Sequence, residues 1–140
     1  MNPQPIGAFV IVTKGKTVLL GKRKNAYKAN SYGCPGGRLE LEESLIDCAK
    51  RELLEETNVK AIKLKYLGVI RELQGDYNFI HFVLQCTVYK GEISLAEPEK
   101  CETWNFYDVN KLPPNILSAH KAGIELLKNS CPTYVDIVEK

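Results

Sequence analysis

Three acids crowd one short stretch of this 140-residue chain: Glu52, Glu55 and Glu56 in RELLEET. Read as a helix at about 100° per residue, the stretch sets Leu45, Ile46, Ala49 and Leu53 on an arc of roughly 0 to 100°. The acids then fall at about −20, −80 and +20°. They abut the apolar stripe, and Glu56 lies within it. Carboxylates crowded at a half-dehydrated edge repel one another and tend to take up protons. A hard divalent cation relieves that repulsion and takes oxygen ligands, Mg2+ first, with Mn2+ also fitting. The bland alternative is a solvated acidic face tied by i,i+4 pairs such as Arg51 with Glu55. Gly36 and Gly37 upstream tip the balance toward a metal. Lacking side chains, they let the backbone approach a ligand, and a carbonyl there can join the coordination sphere; their alternative is a tight turn after Pro35.

The spacing reaches further than the acids. Gly37, Glu43, Arg51, Glu52, Leu53, Glu55, Glu56 and Val59 fit the pattern glycine, five residues, glutamate, seven residues, then R-E-U-x-E-E-x-G-U, with U a bulky aliphatic. In this pattern the chain resembles the Nudix hydrolases. Asn58 stands where that family has glycine. Asn tolerates the left-handed backbone, so the helix end is expected to survive. Glu42 replaces a glycine frequent before the first glutamate and adds negative charge. VLLGKRK, PGGRLE, CAKREL and EPEKCETWNF resemble the MutT-type branch, which includes pyrophosphatases of oxidised guanine nucleotides. The likeness spans about residues 6 to 112.

The resemblance implies hydrolysis of a nucleoside diphosphate linked to a further group, by attack of water on phosphorus. That chemistry needs charge neutralised across the phosphates and a positioned nucleophile. By their place in the motif, Glu52, Glu55 and Glu56 are expected as metal ligands, with the Gly36 carbonyl beside them. Glu52 is instead, or also, the candidate base. Arg51 is expected to hold a catalytic glutamate in place, Glu43 to brace the loop–helix junction, and Gly37 to lie against substrate. A carboxylate from a late loop commonly completes such a site; Glu99 is the choice here and Glu102 the second. Arg23 resembles a phosphate contact, while strand alternation points Lys22 and Lys24 the other way. Tyr27, Asn30 and Tyr32 are placed at the base by position alone. Trp104 and Phe106 share one strand face and read as core. His81, inside an apolar strand, reads as a structural histidine. GKT at 15–17 is no P-loop, because Val10 occupies the first glycine position and a strand follows it.

These residues need a scaffold to hold them. IGAFVIVT (6–13) and TVLLGKR (17–23) read as strands of a hairpin turning at KGK, and residues 24–38 as a long loop. Ser44 suits an N-cap, with Asp47 three residues on, and the helix is expected to run to Thr57 with Asn58 at C′. Strands are expected over 62–70, 77–89 and 103–109, with a turn at QGD and a final helix over about 117–128 after PPN. The tail CPTYVDIVEK reads equally as strand or coil. The order β-β-α-β-β-β-α predicts one Nudix domain over 1–140, an α/β (α+β) fold with a mixed β-sheet sandwiched between helices.

Composition narrows the functional class. A hydrophobic share of 44%, a charged share of 26% and a net charge of +2 describe an ordinary globular chain with no basic field for nucleic acid or a membrane surface. Five cysteines form no C-x-x-C pair, and two histidines give no zinc spacing. The N-terminal apolar run is too short for a signal segment or span, so a reducing cytoplasm is expected. The expected activity is Mg2+-dependent cleavage of a nucleoside triphosphate, oxidised or deoxy forms included, to monophosphate and pyrophosphate. The alternatives are ADP-ribose or another diphosphate as substrate, or a non-catalytic nucleotide sensor. Partners are expected to be small molecules. Members of the family are often homodimers, and the tail 130–140 is available to a second subunit.

Overall fold

The computed structural model describes residues 3–24 and 28–139. Eight strands form the sheet: β1 (Ile6–Lys14), β2 (Thr17–Arg23), β3 (Tyr32–Gly33), β4 (Gly36–Arg38), β5 (Lys60–Gln74), β6 (Tyr77–Lys90), β7 (Cys101–Asp108) and β8 (Thr133–Glu139). Their order is β3-β2-β1-β6-β5-β8, with β4 added to β1 and β7 to β2. β1 pairs parallel with β6 and antiparallel with β4, and only its end, Thr13 and Lys14, pairs with β2. The chain therefore forks at β1.

Alternation along β1 feeds two cores. Ala8, Val10 and Val12 pack with Leu84 and Cys86 against Cys48, Ala49 and Leu53 of α1 (Leu45–Thr57). Phe9 and Ile11 pack with Ile70 and Val83 against Ala119 and Ile124 of α2 (Ser118–Glu125). The mixed sheet is sandwiched between helices, as expected. Burying Leu53 completely contributes about 2 kcal/mol of transfer free energy.

α1 starts and stops by local chemistry. The Ser44 hydroxyl accepts from the Asp47 N–H at 3.0 Å, and Asn58 takes φ 68° at the other end while its N–H reaches the Leu54 carbonyl. The sequence reading needs four corrections. Ile46 is exposed, and Cys48 and Thr57 complete the buried stripe in its place. The loop 24–38 contains β3 and β4. The expected strand 62–70 extends over the whole of Lys60–Gln74, and the final helix ends in a 3-10 turn, Leu126–Lys128. The tail is a strand, β8, parallel to β5. Among the described residues, no helix is long and apolar enough to cross a membrane.

Candidate active site

α1 and β4 meet at the pair of glycines. A Cβ on Gly36 would lie 2.5 Å from the Ala8 carbonyl oxygen, and one on Gly37 would lie 2.5 Å from the Glu52 carboxylate. A side chain at Gly36 would push β4 off β1, whereas one at Gly37 would displace the Glu52 carboxylate. With none there, the Gly36 N–H donates to Glu56 Oε2 at 2.7 Å.

Arg51 organises the other side. Its Nε donates to Glu43 Oε2 at 2.6 Å, Nη1 to Glu52 Oε1 at 2.7 Å and to Glu55 Oε2 at 3.3 Å, and Nη2 to the Arg38 carbonyl at 3.1 Å. Its donors are committed to positioning carboxylates. The Arg51 hydrogen bonds hold Glu43 down at about 2, and Arg51 in turn is held well above its ordinary value, chiefly by Glu43.

The loop after β6 carries a fourth acid into the same space. The last turn of α1 has carbonyls without helical partners. Ser94 N–H donates to the Thr57 carbonyl at 2.9 Å and Ala96 N–H to the Glu56 carbonyl at 3.4 Å, where Trp104 Nε1–H also donates at 3.1 Å. Capping the helix in this way places Glu97 beside the helical acids. The resulting cleft, about 270 Å³, is lined by Glu52, Glu55, Glu56 and Glu97, by Gly36 and Gly37, and by the cations Arg23 and Lys100.

The loop carboxylate in the cleft is thus Glu97, where sequence reasoning chose Glu99. Glu99 is not among the lining residues, and the second choice, Glu102, pairs with Lys22 at 3.5 Å. Two residues placed at the base by position lie outside this cleft. Tyr32 packs edge-on against Tyr107, and Asn30 holds a left-handed φ of 72°; neither lines this cleft. Tyr27 lies outside the described residues. His81 is buried against Glu72 at 3.0 Å, and Trp104 and Phe106 pack on the core. The signal for Glu97 was available only in three dimensions, in the loop's role as a helix cap.

Burial pushes the Glu56 carboxyl up to about 8; the charges of Glu52 and Glu97 add to the rise, while the Gly36 N–H and Arg23 oppose it. Burial also raises Glu52, against the pull of Arg51. Cys34, at the cleft's inner wall, is pushed far above the ordinary thiol range by burial and next by Glu56, so it stays an unreactive thiol. Among the described residues, no three acidic, imidazole or thiolate side chains converge tightly enough to grip a metal as they stand, with Glu52 turned onto Arg51 and Glu56 onto Gly36. The donor set nonetheless fits a hard divalent cation. It is all carboxylate oxygen, and burial, with mutual repulsion added, raises two of its members, a penalty that a bound cation would relieve.

Residues 2–128 match the NUDIX domain family. The chain is 29% identical over 107 residues to the oxidized purine nucleoside triphosphate hydrolase of Danio rerio, covering 75% of this chain and 67% of that protein. It is 33% identical over 107 residues to the ADP-ribose pyrophosphatase of Methanocaldococcus jannaschii, covering 74% of this chain and 61% of that one. The chain thus corresponds to about two thirds of these relatives' length. Its fold is shared with a MutT NUDIX hydrolase from Burkholderia pseudomallei at TM-score 0.87 and 22% identity, covering 91% of this chain and all of that one. Nudix hydrolases in general use divalent cations. The chain belongs to the NUDIX domain family, the Nudix hydrolases.

Proposed function

We propose that the cleft cleaves a nucleoside triphosphate, oxidised or deoxy forms included, to the monophosphate and pyrophosphate. One observation carries this reading: four carboxylates and two cations line a single space beneath two glycines. Anionic phosphates cannot enter an acidic cleft unneutralised. Glu52, Glu55, Glu56 and Glu97, with the Gly36 carbonyl, would hold a divalent cation that would supply that neutralisation; magnesium suits such a donor set, with manganese able to substitute. Arg23 and Lys100 offer the phosphates direct counter-charges.

The chain's own residues then do the remaining work. A water oxygen bonds to phosphorus as the bridging P–O bond breaks, and the water's proton passes to a carboxylate. Glu52 is the candidate base, because its carboxylate lines the cleft beside the space the phosphates would take. Arg51 fixes its orientation. We place this activity in a reducing cytoplasm, which suits five free cysteines, four of them buried.

A second reading keeps the chemistry and changes the leaving group. The similarity to an ADP-ribose pyrophosphatase favours ADP-ribose or a related diphosphate. A panel of triphosphates, ADP-ribose and small diphosphates, assayed with magnesium and with chelator, separates the readings. Pyrophosphate release from triphosphates, abolished by chelator, is expected. Cleavage confined to ADP-ribose selects the second reading, and tight binding without turnover of anything would reduce the protein to a sensor.

A further inference from the structure

Trp104 and Phe106 pack on the same core from the same face of β7, but the two side chains are used differently. The Trp104 ring presses on β2 at Gly21, its cross-strand partner. A Cβ there would lie 2.7 Å from Trp104 Cζ3 and 2.8 Å from Cε3, so the glycine is what lets the ring in. Arg23 follows two residues further along the same strand. From β2 the indole reaches α1, where its Nε1–H donates to the Glu56 carbonyl at 3.1 Å. The ring also lines the acidic cleft. One rigid side chain thus spans from the strand that carries Arg23 to the helical turn that carries Glu56.

The acceptor at the end of that span is a junction. Carbonyls in a last helical turn have no partner inside the helix, so outside donors decide where the turn sits. Ala96 N–H, from the residue before Glu97, donates to the same Glu56 oxygen at 3.4 Å, a longer bond than the indole makes. The Glu97 carbonyl accepts from the Lys100 and Cys101 N–H groups at 3.0 and 3.2 Å. The Lys100 carbonyl accepts from Lys24 N–H at 2.9 Å, which ties the loop to the end of β2. Helix, loop and indole therefore meet at one oxygen. Glu56 is held at both ends, its backbone by Trp104 and its carboxylate by the Gly36 N–H at 2.7 Å.

A residue that only fills the core needs no donor, and Phe106 fills it without one. The indole N–H can donate and cannot accept, which suits a carbonyl that the helix leaves open. We propose that Trp104 is a positioning residue: its N–H fixes the Glu56 backbone and the loop bearing Glu97, and so sets the spacing of two carboxylates for a divalent cation. This rests on the acidic cleft being the metal and phosphate site. Trp104 touches no reacting atom and acts through the acids alone. Outer groups that orient metal ligands in this way govern metal affinity, and their loss weakens it by about 10- to 100-fold.

Trp104 is the chain's one tryptophan, so biosynthetic replacement of tryptophan by benzothienylalanine changes that residue alone. A sulfur then stands in place of the N–H, and the shape of the ring is kept. The test titrates Mn2+, without substrate, into the wild-type, benzothienyl and Trp104→Phe proteins by calorimetry, with thermal melts of each. Wild-type indole emission is followed in parallel. The wild type is expected to bind Mn2+, with an emission change that saturates alongside the heat. The benzothienyl protein and Trp104→Phe, folded by thermal melt, should bind at least about tenfold more weakly. Unchanged affinity in the folded benzothienyl protein overturns the proposal and leaves Trp104 a packing residue, even where the phenylalanine variant is weakened. Should Trp104→Phe fail to fold, the benzothienyl protein decides alone. Heat of binding with no change in emission also counts against the proposal. Absence of Mn2+ binding by the wild type overturns the reading of the cleft together with this inference, whereas equal binding by all three proteins overturns this inference only.

Discussion

The Glu52 carboxylate occupies the space that a side chain on Gly37 would need, with its oxygen 2.5 Å from the position of that Cβ. The clash is with the far end of a flexible side chain, so the fold can survive it while the catalytic carboxylate cannot stay. Gly37→Ala is therefore expected to fold with a near-normal melting temperature. Its turnover should drop by about 100-fold, the scale of a misplacement near 1 Å. Parallel thermal melts and steady-state rates check this. Loss of fold and rate together would mean that the glycine serves packing.

Glu56 should trade stability for activity. Its carboxyl ionises near 4.5 when unfolded and near 8 in the folded, metal-free protein. Between those values the native state keeps a proton that the unfolded chain has lost, so metal-free stability falls as pH rises across that window. Glu56→Gln should flatten the decline and also reduce kcat by at least about 100-fold. Denaturant titrations at several pH values, with chelator, read the first effect.

The late-loop acids can be told apart by substitution. Glu97→Gln is expected to lower magnesium-supported activity by about 100-fold, whereas Glu99→Gln stays within about threefold of the parent. Dependence of the rate on magnesium concentration should shift for the first variant only. The reverse pattern would restore the residue chosen from sequence.

His120 gives a pH dependence of opposite sign. Its folded pKa lies well below the 6.5 of the free side chain, because burial resists the charge. Below 6.5 the unfolded chain takes up a proton that the folded one refuses, so stability falls on acidification. One such group contributes up to about 1.4 kcal/mol per pH unit. The His120 Nδ1 accepts from the Cys34 N–H at 2.8 Å, and His120→Gln, whose amide oxygen can still accept there, should reduce that slope. The wild-type minus variant difference in denaturant titrations isolates it from Glu56.

What was legible in the sequence was what short-range geometry determines. The helix, its Ser44 cap, its Asn58 terminus and the crowding of Glu52 and Glu56 follow from spacing along one turning chain. Ile46 was misplaced because a wheel treats every turn alike, yet burial begins only at Cys48. Glu97 was invisible because its position depends on Ser94 and Ala96 capping a helix far away in sequence. Glu72 lies just past the expected end of its strand. A carboxylate there looks like a surface residue until β5 is seen to continue to Gln74. The tail alternates half-buried and exposed residues on an outer strand, a pattern too polar to separate from coil by sequence alone.

The central claim is that the carboxylate cleft holds divalent cation together with a chain of phosphates. Calorimetric titration of magnesium in the presence of a non-hydrolysable triphosphate analogue tests it most directly. Binding by the wild-type protein is predicted, weakened at least about 100-fold in both Glu56→Gln and Glu97→Gln. No heat of binding at millimolar magnesium, or equal affinity in all three proteins, would contradict it.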